Sequence, residues 1–262
     1  SALHVVYEKK KHPHSTLVPI TNGVYRKRWQ ANALRGRGAD FSNEDLLKMK
    51  RKMRLDLFSY IETTAGKKFN PDVCTLVWAR RFAAYKQPYL LFSDLERLTS
   101  IITNTERPLQ VVISGKAHEA DKIGQDVVQK ITAFSNSPAV KGRIVYLPDY
   151  SITSAEKLVR GADIWLNTPE LGMEACGTSG MKASLNGAIQ VSVRDGWVDE
   201  VNWEGRGWSL PPEKTAEVLY DLLEHEILAS FYDNPASWTA KMRSTIELVE
   251  KEYTAERVIR DY

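Results

Sequence analysis

The sequence predicts an α/β protein whose parallel sheet is covered by helices on both faces. Three observations carry that expectation. Short, continuous apolar runs recur at Val73 to Trp78, Leu109 to Ile113, Arg143 to Leu147, Ala162 to Leu166 and Ala188 to Val193. Segments of helical period separate most of them, and charged or glycine-bearing residues follow directly on several. Strands buried on both faces read as unbroken apolar runs, and their alternation with helices gives parallel pairing. Ligands of such sheets sit beyond the carboxyl ends of the strands. Arg80-Arg81, Lys116, Asp149-Tyr150 and Glu174 each fall just after a strand, which places them around one site.

Taken in order, residues 1–19 hold Lys9-Lys10-Lys11 and three of the five histidines, His4, His12 and His14. Such a segment is able to bind metal or anions, but it is read here as a solvated arm. Val18 to Val24 is a short apolar stretch broken by an Asn22-Gly23 turn signal. Asn22 is either a turn residue or an amide placed to hold a sugar hydroxyl. Ser42, with Asp45 three residues on, reads as a helix N-cap. Leu46, Met49, Met53 and Leu57 give that helix an apolar face, and Lys48, Lys50, Arg51, Lys52 and Arg54 a basic one read as solvated surface. Helical stretches are expected from Pro88 to Ile102, around Val127, Val128 and Ile131, and from Ser154 to Val159. In the tail, Val218, Leu219, Leu222, Leu223 and Ile227 share one helical face, and further helices begin near Pro235 and Thr254.

Composition narrows the function classes. A chain of 262 residues, 43% hydrophobic and 26% charged, is ordinary for a soluble protein and buries a substantial core. A net charge of +3, from 36 basic and 33 acidic residues, is too even to argue for nucleic acid. No apolar run approaches the ~20 residues of a membrane span. Cys74 and Cys176 lie far apart without metal-ligand spacing and read as reduced thiols of a cytoplasmic protein. The chain opens Ser1-Ala2-Leu3 without a methionine, as an excised or processed piece would.

The most specific stretch is Glu174-Ala175-Cys176-Gly177-Thr178-Ser179-Gly180-Met181-Lys182, continued by Leu185-Asn186-Gly187. Small residues ahead of Met181, Leu185 and Ile189 at helical spacing leave backbone N–H groups free at a helix start, which suits a phosphate. Arg80, Arg81 and Lys86 put three cations within seven residues of a strand-to-helix loop. Any one of them is by default surface charge; together at a strand end they favour an anion site. Lys116 and His118 resemble a phosphate loop only loosely. Lys182 is either solvent-facing, as helix lysines commonly are, or a desolvated amine able to form a Schiff base. Both readings stand on the residues alone.

That stretch closely resembles the pyridoxal-phosphate segment of the α-glucan (glycogen, starch or maltodextrin) phosphorylases. The resemblance extends from about residue 17 to the end, most like the shorter bacterial and archaeal forms. It takes in Thr21-Asn22-Gly23-Val24 with Arg28-Trp29, Arg80 to Lys86, Gly115-Lys116-Ala117, Leu147 to Tyr150 with Ser154 to Lys157, and Asn234 to Trp238. It implies the Rossmann-like carboxyl-terminal half of a two-domain B-type glycosyltransferase fold. Residues 1–40 would be a lead-in and interdomain segment, residues 41–262 the cofactor-binding domain, and the amino-terminal half would be absent.

The resemblance also implies roles. Pyridoxal 5'-phosphate would be held covalently, as an internal aldimine, at Lys182, with Gly177, Thr178, Ser179 and Arg80 at its phosphate and Tyr150 in contact. Arg81 and Lys86 would hold inorganic phosphate. Glu174, Ala175, Cys176 and Gly177 would line the sugar site, with Asn22 contributing and Tyr85 nearby. The reaction implied is reversible phosphorolysis of an α-1,4-glucan to α-glucose 1-phosphate, with little or no activity in this chain alone and a homodimer for the full-length enzyme. Against the family pattern, Arg80 stands where lysine is common, Cys176 where serine is, and Gly180 where asparagine is. Tyr25-Arg26-Lys27 also departs from it. None of these removes a charged role. Two alternatives are a nucleotide-sugar-dependent glucan synthase, which has no need of Lys182, and a non-catalytic glucan-binding module of the same fold.

Overall fold

The computed structural model describes residues 1–35 and 41–262. The expected boundary at residue 40 abuts 36–40, which lie outside the described residues. The elements run, in order, α1 (Ala2–Lys11), α2 (Arg26–Trp29), α3 (Asn43–Ala65), β1 (Cys74–Ala79), α4 (Leu95–Thr103), β2 (Leu109–Ser114), α5 (Lys122–Ser135), β3 (Ile144–Leu147), α6 (Ile152–Gly161), β4 (Ile164–Asn167), α7 (Thr178–Ser184), β5 (Ile189–Val193), β6 (Gly207–Leu210), α8 (Thr215–Leu222), α9 (Leu228–Asp233), α10 (Pro235–Glu252) and α11 (Ala255–Asp261), with a π-helical turn, Leu223–Ile227, joining α8 to α9.

The sheet is wholly parallel, in the order β3-β2-β1-β4-β5-β6. Every residue of β1 and β2 is buried, which is why their sequences are mostly apolar, with Thr75, Gln110 and Ser114 the polar exceptions. Side chains nevertheless alternate between two cores. Leu76 and Trp78 join Val111, Ile113, Leu98, Ile102 and Leu219 on one face. Val77 and Ala79 join Val112, Val145, Leu57, Ile61, Leu158 and Val159 on the other. Helices therefore cover both faces, as the sequence predicts.

Local chemistry sets the helix ends. The Ser42 hydroxyl accepts the Asp45 N–H at 3.0 Å to start α3, and Gly66, at φ +67°, ends it. Asp94 caps α4 through the Arg97 N–H, so the helix expected from Pro88 is divided, with a short 3-10 turn at Leu90–Phe92 before the cap. Asn234 and Pro235 start α10 and Thr254 starts α11, both as expected.

Three expectations are corrected. The lead-in is not only a solvated arm: Ala2–Lys11 is helical and packs on the turn Gly196–Glu200, with the Tyr7 ring close to Gly172. The basic face of α3 is not all solvated. Lys50 is 2% exposed and donates to the carbonyls of Arg160 (2.9 Å) and Asn186 (3.0 Å), and Arg54 is buried against Asp163 at 3.3 Å. Finally, β6 is a sixth strand absent from the sequence reading. Gly207-Trp208-Ser209-Leu210 lies on the sheet edge and is only partly covered, so it lacks an unbroken apolar run.

Candidate active site

The strand order reverses between β1 and β4, and the loops leaving their carboxyl ends diverge there. A cleft of about 430 Å³ opens at this point. β1 delivers Ala79, Arg80, Arg81 and Lys86 to it, β3 delivers Tyr150, and the segment after β4 delivers Glu174 to Ser179 and Lys182. Asn22 reaches it from the segment before α2. Close backbone approach holds the β1 and β2 exits together: Gly115 lies so near the Arg80 carbonyl that a Cβ there would stand 2.0 Å from its oxygen.

The cations do not point freely into the cleft. Arg80 Nη2 and Lys86 Nζ each lie 2.9 Å from the same oxygen, Glu174 Oε2. All three side chains are buried, and burial pulls the Arg80 guanidinium below its ordinary value while Glu174 opposes that fall. Arg80 Nη1 is buried with no hydrogen-bond partner among the described residues. One carboxylate between two cations leaves the group positive, and Arg81, exposed at the rim, adds to that charge. The arrangement suits an anion.

Lys182, half-buried on α7, stands with its ammonium 4.0 Å from the centre of the Trp29 ring. Burial lowers its pKa. Gly177 precedes α7 at φ +77° and supplies no side-chain cap, so the N–H groups of Thr178 and Ser179 find no acceptor among the described residues. The Tyr150 hydroxyl is pushed up to about 12 by burial, against the pull of Arg80. The Cys176 thiol is also raised by burial, and Ala175 and Asn22 are exposed on the rim. Tyr85 stands apart from the cleft lining: its ring lies 4.8 Å from the Lys86 ammonium and its carbonyl accepts the Glu170 N–H. Lys116 is exposed, and His118 Nδ1 accepts the Ala120 N–H as a local hydrogen-bonding residue.

Sequence reasoning assigned no part to Trp29 or Asn186 in this geometry. Asn186 Nδ2 donates to the Trp29 and Lys182 carbonyls at 3.0 and 2.9 Å, and its Oδ1 accepts the Ala31 N–H at 2.8 Å. One amide thus ties α2 to α7 and sets the indole on the lysine. The available signal was the aromatic Trp29 beside a turn that itself meets the cleft. A larger groove of about 660 Å³ lies beside β6, where Trp208 pairs with Glu226, Ser237 with Lys241, and Asn234 with the Ser237 N–H.

Residues 34–204 match the family model for carbohydrate phosphorylase. The chain is 38% identical over 210 residues to a glycogen phosphorylase of Aquifex aeolicus, covering 75% of this chain and 30% of that protein. It is 40% identical over 196 residues to a maltodextrin phosphorylase of Thermococcus litoralis, covering 71% and 24%. An uncharacterised protein of Methanocaldococcus jannaschii is 34% identical over 260 residues, 94% of this chain and 47% of its own length. The chain therefore spans less than a third of the length of these two phosphorylases. Neither the synthase nor the binding-module alternative is favoured by these likenesses.

Proposed function

The chain belongs to the carbohydrate phosphorylase family, and we propose on that footing that its cleft is the cofactor side of an α-1,4-glucan phosphorylase centre. The enzyme would be a glycosyltransferase of glucan catabolism that uses inorganic phosphate to release α-glucose 1-phosphate from glycogen, starch or maltodextrin. The observation that carries this reading is the gathering of Lys182, the Arg80–Glu174–Lys86 group and the uncapped start of α7 around one cleft.

These residues fit pyridoxal phosphate. A desolvated amine keeps more of itself neutral near pH 7 and so attacks a carbonyl readily, which suits Lys182 for holding the cofactor covalently. The orphaned, buried Arg80 Nη1 and the free N–H groups of Thr178 and Ser179, with Gly177, would take its phosphate. Tyr150 stays protonated at neutral pH and would contact the cofactor as a donor. When bound, pyridoxal phosphate supplies a second phosphate group beside the substrate's, and two such neighbours share a proton because both cannot stay fully ionised.

Arg81 and Lys86 would hold inorganic phosphate in register with that group. They would also stabilise the ion pair between phosphate and an oxocarbenium-like sugar as the glycosidic oxygen is protonated. Tyr85 backs Lys86 through the face of its ring. Glu174, Ala175 and Cys176, with Asn22 at the rim, would line the sugar.

In this reading residues 1–40 are a lead-in and interdomain segment and residues 41–262 the cofactor-binding domain. An amino-terminal domain of the same enzyme would form the opposite wall, and the full-length enzyme would be a homodimer. Phosphorolysis by these 262 residues alone would be slight. The unpaired, buried Cys74 and Cys176 fit a reducing, cytoplasmic setting. Among the described residues no helix is long and apolar enough to cross a membrane.

The test is an absorbance spectrum of the chain incubated with pyridoxal phosphate, before and after borohydride. A Schiff-base band that borohydride fixes, and that Lys182→Ala abolishes, is the expected result. A band indifferent to that substitution, or no band at all, would sink the assignment.

A further inference from the structure

Glu174 belongs to a loop, yet its carboxylate bridges two cations from another loop, a geometry that needs a fixed backbone. The residue that supplies the fixation is Asp195, just past β5 and 2% exposed. Its Oδ2 accepts the N–H groups of both Gly172 and Glu174, each at 2.9 Å, and its Oδ1 accepts the Gly196 N–H at 2.8 Å. The next residues grip the far side of Glu174. The Trp197 N–H donates to the Cys176 carbonyl at 3.1 Å, and Gly196, at φ +59°, approaches so closely that a Cβ would lie 2.3 Å from the Cys176 oxygen. Trp197 is itself wedged between Trp203 and Tyr253, with ring centres 5.4 and 5.0 Å away.

Asp195 makes no ion pair among the described residues. Three backbone donors converge on its two oxygens, and burial and the nearby Glu174 charge push its pKa up against them. Only a carboxylate accepts on both oxygens; an amide offers one acceptor and turns an N–H toward the remaining donors.

We propose that Asp195 is a positioning residue that fixes Glu174 as the internal counter-ion of Arg80 and Lys86, so that inorganic phosphate reaches Lys86 only by displacing the Glu174 carboxylate. The inference rests on the reading that these cations hold an anion. Asp195 touches neither phosphate nor sugar; it acts through the backbone of Glu174.

The experiment is a double-mutant cycle on the chain loaded with pyridoxal phosphate, with inorganic phosphate as the probe in titration calorimetry. Glu174→Gln removes the competing charge and should tighten phosphate binding about tenfold, the scale of one lost charge-assisted bond. Asp195→Asn should tighten it by a comparable factor while Glu174 is present, and by less than about twofold in the Glu174→Gln background. An Asp195→Asn effect of equal size in both backgrounds, a weakening, or no change would overturn the proposal. Amide exchange keeps the two readings separable. In the wild-type chain the Gly172 and Glu174 amides should exchange far more slowly than that of exposed Leu171, and in Asp195→Asn roughly tenfold faster than in wild type. Solvent-rate exchange of the Glu174 amide in wild type overturns the positioning role even if no variant folds. Slow exchange in a chain that binds no phosphate overturns the anion reading, and the counter-ion proposal with it.

Discussion

Lys50 offers a test of the fold's electrostatics that can be worked through in full. Its amine is buried between α3, the end of α6 and the turn after α7, where it donates to the carbonyls of Arg160 and Asn186. Burial lowers its pKa from 10.5 to about 8, Arg54 adds to that fall, and Asp163 opposes it. A lysine with a depressed folded value binds fewer protons folded than unfolded between those two limits. Stability therefore rises with pH across the window from about 8 to 10.5, and the gain is lost again as pH falls through 8. At about 1.4 kcal/mol per tenfold change in proton affinity, the effect is on the order of 3 kcal/mol. The perturbation is Lys50→Met, which keeps the length of the side chain and removes the titration. Urea unfolding of both proteins from pH 7 to 10.5 gives the difference in stability, in which the titrations common to both cancel. Wild type should gain about 3 kcal/mol on the variant across that window. A difference that stays flat with pH would refute the reasoning and mean that Lys50 titrates in the folded chain as it does in water.

Three further outcomes follow from other contacts. Asp163→Asn leaves Arg54 buried without its counter-charge and should cost about 3–5 kcal/mol in chemical denaturation, far more than a surface substitution. Gly23→Ala places a Cβ 2.2 Å from the Thr254 carbonyl oxygen and should lower stability by roughly 1–3 kcal/mol while loosening the Asn22 segment, read as a fall in Tm. Trp29→Ala admits water to the Lys182 amine, whose pKa should then rise towards its ordinary value. The pH midpoint of reductive methylation at Lys182 reports that rise, and an unmoved midpoint would mean that the indole plays no part in the desolvation.

Much of this fold can be read from local pattern because its signals are local. β1 to β5 are predominantly apolar runs, and Ser42, Asn234-Pro235 and Thr254 are caps that act within four residues. What local pattern cannot carry is strand order. Nothing near Arg80 in sequence says that β4, some eighty residues later, becomes the neighbour of β1 and brings Glu174 against it. The two buried cations of α3 are unreadable for the same reason, since a charge on a helix reads as solvated until its distant partners are brought alongside, Asp163 for Arg54 and the Arg160 and Asn186 carbonyls for Lys50. β6 escapes because an edge strand needs no continuous apolar run, and Asp195 because a carboxylate after a strand does not announce which N–H groups it will meet.

The buried charge at the foot of the sheet bears on the cleft at its head. Asp163 N–H donates to the Thr75 carbonyl, and Asp163 Oδ2 accepts the Thr75 N–H, each at 3.0 Å, while Arg54 holds the same carboxylate. These contacts pin β4 against β1 with Leu76 opposite Ile164. A slip of one residue in that register would carry the β4 exit roughly 3.3 Å along the sheet and turn every β4 side chain to the other face. A charge-assisted hydrogen bond tolerates only a few tenths of an ångström, so Glu174 would lose both Arg80 and Lys86. Asp163 therefore sets at one end of the strands the alignment that Asp195 completes at the other, and substitution of either should alter anion binding at a cleft that neither carboxylate lines.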